Sequence, residues 1–277
     1  MNGKCNAAGI PGAEYLYNPS FEREGCGVGF VARMDGRPSH SIVENGVEVL
    51  VNLEHRGPAG YDLSTGDGAG LLMQIPDDFL RRVCAGLGIS LLGKWFYAVG
   101  MTFLPARPTL AERCEREFSR IGEEEGMRVL GWRTVPVCPD CISDGARSTM
   151  PLFRQVLLVP LFDDYGRFEQ ALYVFRRRIE NEICGWTDDD YSQFYIASLS
   201  SRTIVYKGML TGSQLPVFFP DVAERDFSIP FAIVHQRYST NNYPTWHRDQ
   251  RPPSRGGFRR QAGICRTAHA VPRSGSP

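Results

Sequence analysis

Residues 26–32 read CGVGFVA, a short run in which small and apolar residues alternate directly after Gly25. Such alternation is typical of a buried β-strand, because successive side chains of a strand point to opposite faces. The run therefore predicts a central strand that begins at Cys26. A cysteine is most often a small buried hydrophobe, so the role of Cys26 depends on the residues that accompany it.

Outward from this run, the sequence alternates between strand patterns and helix patterns. Further strands are predicted in residues 71–76, 95–105, 129–137, 154–162 and 231–240, and helices in residues 41–55, 109–125 and 167–183. Residues 194–208 hold two β-rich runs that meet at Ser200 and Ser201, which predicts a hairpin. The Gly-rich run TGDGAG at residues 65–70 predicts a turn. These patterns favour layered α and β structure, so the expected fold class is α+β.

The composition argues against several classes of function. The 277 residues include 31 Lys plus Arg and 31 Asp plus Glu, so no global charge favours nucleic acid or an anionic membrane. No apolar run approaches the roughly 20 residues that span a bilayer, and residues 1–25 lack the apolar segment of a secretory signal. We therefore expect a cytoplasmic protein with no nucleic-acid partner and no membrane partner.

The eight cysteines are irregularly spaced, which does not indicate a disulfide framework in a chain of this length. A reducing compartment agrees with that spacing. Cys138 and Cys141 form the one CxxC pair in the sequence. A structural zinc site needs four ligands, so a surface loop is the favoured interpretation of this pair, and no metal site is expected.

Residues 251–277 differ from the rest of the chain, because they are rich in Arg, Pro, Gly and Ser and contain no Asp, Glu or Lys. A segment of this composition cannot bury enough apolar surface to pack into a core, so a disordered tail is expected. A basic tail can touch nucleic acid, but this one lacks the interleaved aromatic residues of a binding segment.

Four motifs occur in order along the chain. They are CGVGF at residues 26–30, LEHRG at 53–57, TGDGAG at 65–70 and HQRYSTNNYPTW at 235–246. This ordered set resembles the glutamate synthases over roughly residues 20 to 250. The resemblance implies a class II glutamine amidotransferase with a four-layer αββα sandwich of the N-terminal-nucleophile hydrolase type, incomplete at its carboxyl end.

The resemblance also implies a division of the chain and roles for individual residues. Residues 1–25 would be a propeptide, 26–250 a partial amidotransferase domain and 251–277 an aberrant tail. Removal of the propeptide would make Cys26 the first residue, whose α-amine, with an ordinary pKa of about 7.7 to 8.0, can act as base for the adjacent thiol. The thiolate would attack the side-chain amide of L-glutamine, expel ammonia and leave a glutamyl thioester for water to hydrolyse.

Two further residues are candidates for substrate binding. Arg237 matches the arginine of the family's HxR(F/Y)ST motif and would hold the substrate α-carboxylate with its planar pair of donors. Asp67 lies between two glycines and would orient the substrate, although an Asp is equally favoured there as a turn cap. We expect His55 and Arg56 to support the pocket wall, and His235 to be a packed histidine rather than a base.

The sequence departs from the family after Gln250. Related glutamate synthases continue into a His-Asn-Gly-Glu-Ile-Asn motif whose Asn and Gly form the oxyanion hole, and the tail here has no such motif. Loss of one oxyanion donor typically costs on the order of 100- to 1000-fold in rate, so the alternatives include a fragment without turnover, produced by truncation or a shifted reading frame. Another class II amidotransferase is the remaining alternative.

In the family, the rest of the enzyme binds FMN and an iron-sulfur cluster and makes glutamate from 2-oxoglutarate. We therefore expect no cofactor on this chain. The expected partners are L-glutamine, the synthase domains that are missing here, and a possible reductase subunit.

Overall fold

The computed structural model describes residues 27–54, 66–186, 191, 193–237 and 246. Within these ranges the chain forms two antiparallel four-stranded sheets with helices, which confirms the α+β class. The strands are β1 (Gly27–Ala32), β2 (Ala69–Gln74), β3 (Ala98–Leu104), β4 (Met127–Thr134), β5 (Leu152–Pro160), β6 (Tyr195–Ser200), β7 (Thr203–Gly208) and β8 (Phe231–Gln236). The α-helices are α1 (His40–Leu53), α2 (Asp77–Ala85), α3 (Pro108–Glu124), α4 (Asp144–Ser148), α5 (Phe168–Cys184) and α6 (Leu215–Phe218), and short 3₁₀ turns cover Pro139–Cys141, Tyr165–Arg167 and Pro220–Ala223.

The helices begin where their sequences provide start signals. The Ser39 side chain caps α1 by accepting a hydrogen bond from the Ser41 amide, and α3 begins at Pro108, whose fixed φ suits the first helical turn. In α5 the side chains of Leu172, Phe175 and Ile179 are buried, as their spacing predicts. Among the described residues, every helix is too short or too polar to cross a membrane.

The first sheet has the strand order β1-β8-β2-β7. One face is lined by buried apolar residues such as Leu71 and Val234, and α1 packs on it where Gly46 brings the helix backbone close to both. Among the described strands, β1 pairs only with β8, so it is an edge strand rather than the predicted central one.

The second sheet has the strand order β4-β5-β3-β6, and both of its faces are covered. One face packs against α3 and α5, where Phe118 and Phe175 lie edge to face with their ring centroids 5.8 Å apart. The other face contributes Met101 and Leu157 to a large core that includes residues of the first sheet. Every residue of β3 is buried as a result.

The predicted hairpin of residues 194–208 is wrong. Its two runs form β6 and β7, but β6 belongs to the second sheet and β7 to the first. The turn between them is held by the Glu169 carboxylate of α5, which accepts hydrogen bonds from the Ser200 hydroxyl and from the Ser201 amide and hydroxyl. This anchor directs the chain across from one sheet to the other.

Candidate active site

Four strand ends meet at one end of the first sheet. Gly27 pairs with Gln236, Gln236 pairs with Ala69, and Ala69 pairs with Gly208, so β1 and β2 begin where β8 and β7 end. The chain leaves β8 at Arg237, whose backbone amide donates a 2.8 Å hydrogen bond to the Gly68 carbonyl. Arg237 and the loop that carries Asp67 are therefore neighbours.

The loop before β2 depends on its glycines. A Cβ atom on Gly66 would lie 2.0 Å from the Leu210 carbonyl carbon, and Gly68 has a φ of +143°. The first glycine therefore allows two backbone segments to touch, and the second adopts a conformation that L side chains rarely adopt. Asp67 is held between them and is partly buried. The TGDGAG motif is thus explained by close packing of the loop on the segment that follows β7.

Trp246 fixes the far end of the HQRYSTNNYPTW motif to the same region. Its indole N–H donates a 2.9 Å hydrogen bond to the Ala146 carbonyl, and its ring packs against Phe153 at a centroid distance of 5.5 Å. A Cβ atom on Gly208 would lie 2.7 Å from the Trp246 ring. The tryptophan is buried and covers the end of β7.

Three basic side chains surround this end of the sheet. His235 and Lys207 lie in one cross-strand row with Gly70 between them, and Arg237 follows two residues after His235. Burial, followed by the charges of Lys207 and Arg237, lowers the pKa of His235 below its ordinary value. His235 is therefore neutral near pH 7, and the positive charge that favours an anionic group comes from Lys207 and Arg237.

Lys207 is a residue that the sequence analysis missed. It is 8% exposed, and its Nζ lies 4.7 Å from the ring centroid of Tyr195, the first residue of β6. A buried ammonium over an aromatic face is stabilised by the negative face of the ring. The sequence signal that reveals it is a lysine inside an otherwise apolar strand, TIVYKG.

A second missed feature is a buried polar network behind the site. Arg133 of β4 forms two hydrogen bonds of 2.7 Å to the Asp221 carboxylate, and Tyr206 of β7 donates to the same carboxylate at 2.8 Å. Gln155 of β5 accepts from Arg133 and donates to the Tyr206 hydroxyl. Burial raises the pKa of Tyr206 well above its ordinary value, so its hydroxyl stays protonated as a donor. The network joins the two sheets through Tyr206, which precedes Lys207 in β7 and points to the opposite face of the sheet.

Two of the predicted site residues, Arg237 and Asp67, lie within the described part of the chain. Arg237 and Asp67 are brought together, whereas Cys26, His55, Arg56 and the tail lie outside the described residues. Cys26 directly precedes Gly27, the first described residue, in the sequence. Among the described residues, no group of three or more His, Cys, Asp or Glu side chains is arranged to hold a metal ion.

Comparison with known proteins agrees with this arrangement. Residues 26–255 match the family model described as "Glutamine amidotransferases class-II". Because the match covers most of the 277 residues, the chain belongs to the class II glutamine amidotransferases.

The chain is also similar to long glutamate synthases. It is 44% identical over 241 residues to the large chain of the NADPH glutamate synthase of Bacillus subtilis, covering 86% of this chain and 16% of that protein. It is 39% identical over 238 residues to ferredoxin-dependent glutamate synthase 2 of Arabidopsis thaliana, covering 86% of this chain and 14% of that protein. With the NADH glutamate synthase of Saccharomyces cerevisiae the identity is 38% over 256 residues, covering 87% and 12%. The chain thus spans less than a fifth of the length of these relatives.

Proposed function

We propose that this chain is a glutaminase module that hydrolyses L-glutamine to L-glutamate and ammonia, with Cys26 as the nucleophile. The observation that carries the proposal is the strand register at one end of the first sheet. Gly27 lies opposite Gln236, and the Arg237 amide is bonded to Gly68, so Gly27, Arg237 and the loop that carries Asp67 meet at one end of the sheet, and Cys26 precedes Gly27 in the sequence. A single glutamine can span side chains that project from one such sheet end.

The reactants of the proposed reaction are glutamine and water, with Cys26 as the nucleophile. The Cys26 thiolate attacks the side-chain amide carbon of glutamine, and the C–N bond breaks as ammonia takes up a proton and leaves. Water then attacks the glutamyl thioester, which releases glutamate and returns the thiol. Removal of residues 1–25 would free the α-amine of Cys26, which accepts the thiol proton in the first step and returns it to the leaving group.

The basic side chains around the site support the choice of substrate. Arg237 presents a planar guanidinium that can bind the α-carboxylate of glutamine through two parallel hydrogen bonds. The buried charge of Lys207 adds to the positive potential, and the lowered pKa of His235 makes this histidine a weaker base than the α-amine. Asp67 supplies the negative charge that an α-ammonium group needs.

The wider context follows from the relatives. The identities to relatives named after NADPH, ferredoxin and NADH are 44%, 39% and 38%, so the similarity of this segment does not favour one electron donor. We propose that the ammonia is used to make glutamate from 2-oxoglutarate in a longer protein, where FMN, an iron-sulfur cluster and a reductase would act outside this sequence. We further propose the four-layer αββα arrangement for the complete domain; the two antiparallel sheets and the helices on the second sheet support it.

The test is an assay of ammonia and glutamate release by the full chain, after its amino terminus has been identified by mass spectrometry. We expect equal amounts of the two products from protein that begins at Cys26, and a loss of at least about 1000-fold with Cys26→Ser, because the alcohol is a far weaker nucleophile. Trapping with an electrophilic glutamine analogue should label the peptide that contains Cys26.

The matched control is Cys184→Ser, which removes an exposed thiol at the end of α5 and should leave the rate unchanged. Absence of product from wild-type protein that begins at Cys26 would contradict the proposal and support a chain without turnover. Equal activity in the Cys26→Ser variant would contradict the assigned nucleophile.

A further inference from the structure

Two thiols lie three positions apart in the sequence at the protein surface, and neither belongs to the proposed glutamine site. Cys138 is exposed and Cys141 is partly exposed, and both belong to the short CPDC segment that follows β4. The other described cysteines differ from this pair: Cys84 and Cys114 are buried, and Cys184 is exposed but does not belong to a CxxC pair. The CPDC segment is therefore the described place where two accessible thiols can react with each other.

The local backbone brings these two thiols towards one another. Residues Pro139–Cys141 form a 3₁₀ turn whose N-cap is Cys138, so the two cysteines lie at the two ends of one tight turn. The Cys141 thiol donates a hydrogen bond of 3.2 Å to the Cys138 carbonyl oxygen. That contact holds the Cys141 sulfur within about 6 Å of the Cys138 Cα, since the carbonyl oxygen is less than about 3 Å from that atom. Rotation of the exposed Cys138 side chain can then close the remaining gap.

The two thiols are not equivalent. Burial, followed by the neighbouring Cys138 and Asp140, raises the pKa of the Cys141 thiol above its ordinary value. Cys138 is the more accessible of the pair, so it is the thiol that meets an external disulfide first. Cys141 is then the thiol that resolves the mixed disulfide from inside the turn.

A bridge across four residues would be readily reversible. The entropy that a disulfide removes from the unfolded chain grows with the length of the loop it closes, and this loop is near the minimum. An exposed bridge in a tight turn is also accessible to reducing thiols, which is typical of labile disulfides rather than structural ones. The pair therefore suits exchange between two states.

The CPDC segment is linked through Gln214 to the backbone against which Gly66 packs. The Gln214 side chain donates a 2.8 Å hydrogen bond to the Cys141 carbonyl and accepts one of 2.9 Å from the Thr211 amide. The Leu210–Thr211 peptide is the backbone against which Gly66 packs. A change in the turn at Cys141 can thus reach, through the Gln214 side chain, the backbone behind Gly66. This backbone supports the loop that carries Asp67, which we call the substrate loop.

We propose that Cys138 and Cys141 form a reversible disulfide by exchange with a small-molecule disulfide, and that closing this bridge loosens the Gln214 attachment of the segment behind Gly66. The Cys138 thiolate attacks one sulfur of the small disulfide and releases one thiol. The Cys141 thiolate then attacks the Cys138 sulfur of the mixed disulfide and releases the second thiol. The protein thus loses two electrons and two protons, which the small disulfide gains as it becomes two thiols. This thiol site goes beyond glutamine hydrolysis, and the first arm of its test needs no glutamine.

The chain offers a direct readout, because trypsin cleaves after Arg133 and Arg147 and the peptide of residues 134–147 contains both thiols and no other cysteine. The full chain is equilibrated in buffers of reduced and oxidised glutathione, quenched with acid and alkylated. We expect this peptide to pass from a doubly alkylated form to a form that is two hydrogen atoms lighter and unalkylated. The Cys141→Ser variant should instead accumulate a glutathione adduct on Cys138, as wild-type protein does on Cys184.

The second arm measures amide hydrogen exchange in the reduced and oxidised full chain. We expect the Thr211 amide to exchange about 2- to 10-fold faster after oxidation, which corresponds to the loss of one hydrogen bond of ordinary strength. The Cys184→Ser variant should behave as wild type, and the Cys138→Ser variant should show no difference between the two buffers.

Each arm can overturn the proposal. A peptide 134–147 that keeps both thiols, or that carries only glutathione adducts in all buffers, would overturn the disulfide site. A fully formed disulfide with unchanged exchange at Thr211 would overturn the link to the substrate loop. Loss of glutamine hydrolysis bears only on the function proposed above, because neither arm depends on turnover.

Discussion

The two sheets differ in how completely they are covered. In the second sheet every residue of β3 is buried, because helices pack on one face and the shared core on the other. In the first sheet one face is buried, whereas on the opposite face of β1 Val28 is 47% exposed and Phe30 is 66% exposed. The second sheet therefore acts as a scaffold. Among the described residues, the first sheet is exposed on this face only towards its β1 edge, since Leu72, Val205 and Lys207 on the same face are buried.

The same difference separates two arginines. Arg133 of the second sheet is buried and bonded to Asp221, so its charge is used within the protein. Arg237 at the end of the first sheet is only partly buried, and its backbone amide donates to the Gly68 carbonyl. The first arginine thus lies inside the scaffold, and the second lies at the strand end where we propose that glutamine binds.

The largest effect is expected from breaking the buried ion pair between Arg133 of the second sheet and Asp221. Asp221→Asn keeps the size of the side chain but leaves the Arg133 charge buried without a carboxylate, which should lower the free energy of unfolding by about 3 to 5 kcal/mol. Urea denaturation measures the change. The control is Asp140→Asn, at an exposed carboxylate 3.4 Å from Arg147, where we expect no measurable change. Equal effects in the two variants would remove the distinction between scaffold and surface.

The second prediction concerns Arg237 at the end of the first sheet. Arg237→Lys retains the charge but loses the planar pair of donors, so kcat/KM for glutamine should fall roughly 10- to 100-fold while the thermal midpoint stays within a degree or so. Arg202→Lys provides the control, because this exposed arginine lies at the opposite end of β7 and should keep wild-type activity. A large loss of stability in Arg237→Lys would show that this arginine is also part of the scaffold.

The third prediction tests the support of the substrate loop. A methyl group on Gly66 meets the Leu210 and Thr211 backbone, so Gly66→Ala should destabilise the fold by about 1 to 3 kcal/mol and raise the KM for glutamine. Gly88→Ala isolates the cost of backbone conformation, since Gly88 has a φ of +73° and no atom within 4 Å of its Cβ position. That control should leave KM unchanged. If both variants raised KM equally, close packing at Gly66 would not be the cause.

The sequence patterns predicted most elements to within a few residues, because each strand and helix carries its own periodicity and stop signals. The predicted helix at residues 109–125 corresponds to Pro108–Glu124, and the strand at 95–105 to Ala98–Leu104. The pairing between strands was harder to predict from the sequence. The tight turn at Ser200 looks the same locally whether its strands pair or separate, and the Glu169 carboxylate that decides the matter lies 31 residues earlier in the chain.

The sequence likewise predicted some residues of the candidate site and missed others. Arg237 and Asp67 belong to contiguous motifs, and the structure brings their segments together. Lys207, Tyr206 and Asp221 were missed because each is an isolated polar residue in an apolar context, and its partners come from other elements. Such residues become recognisable only when the fold has brought their partners together.

The smallest expected effect concerns pH. The pKa of His235 is lowered in the folded chain, so the unfolded chain binds the proton more readily. The stability that neutral His235 contributes is therefore fully present above its ordinary pKa of 6.5 and is lost as the pH falls through that value towards the lower folded pKa. Wild-type protein should lose more stability between pH 7 and pH 5 than His235→Gln does, as measured by urea denaturation at both pH values. Parallel losses would mean that other groups govern the pH dependence.

The pairing of β1 with β8 has a consequence for biosynthesis. Among the described strands β8 is the only partner of β1, yet β1 opens the described chain and β8 nearly closes it. The ribosome must release β8 before β1 can join the sheet, so the first of the described strands waits longest for its partner, and contacts of such long sequence separation form slowly. The row formed by Gly27, Gln236 and Ala69 is thus completed only after most of the described chain has been made.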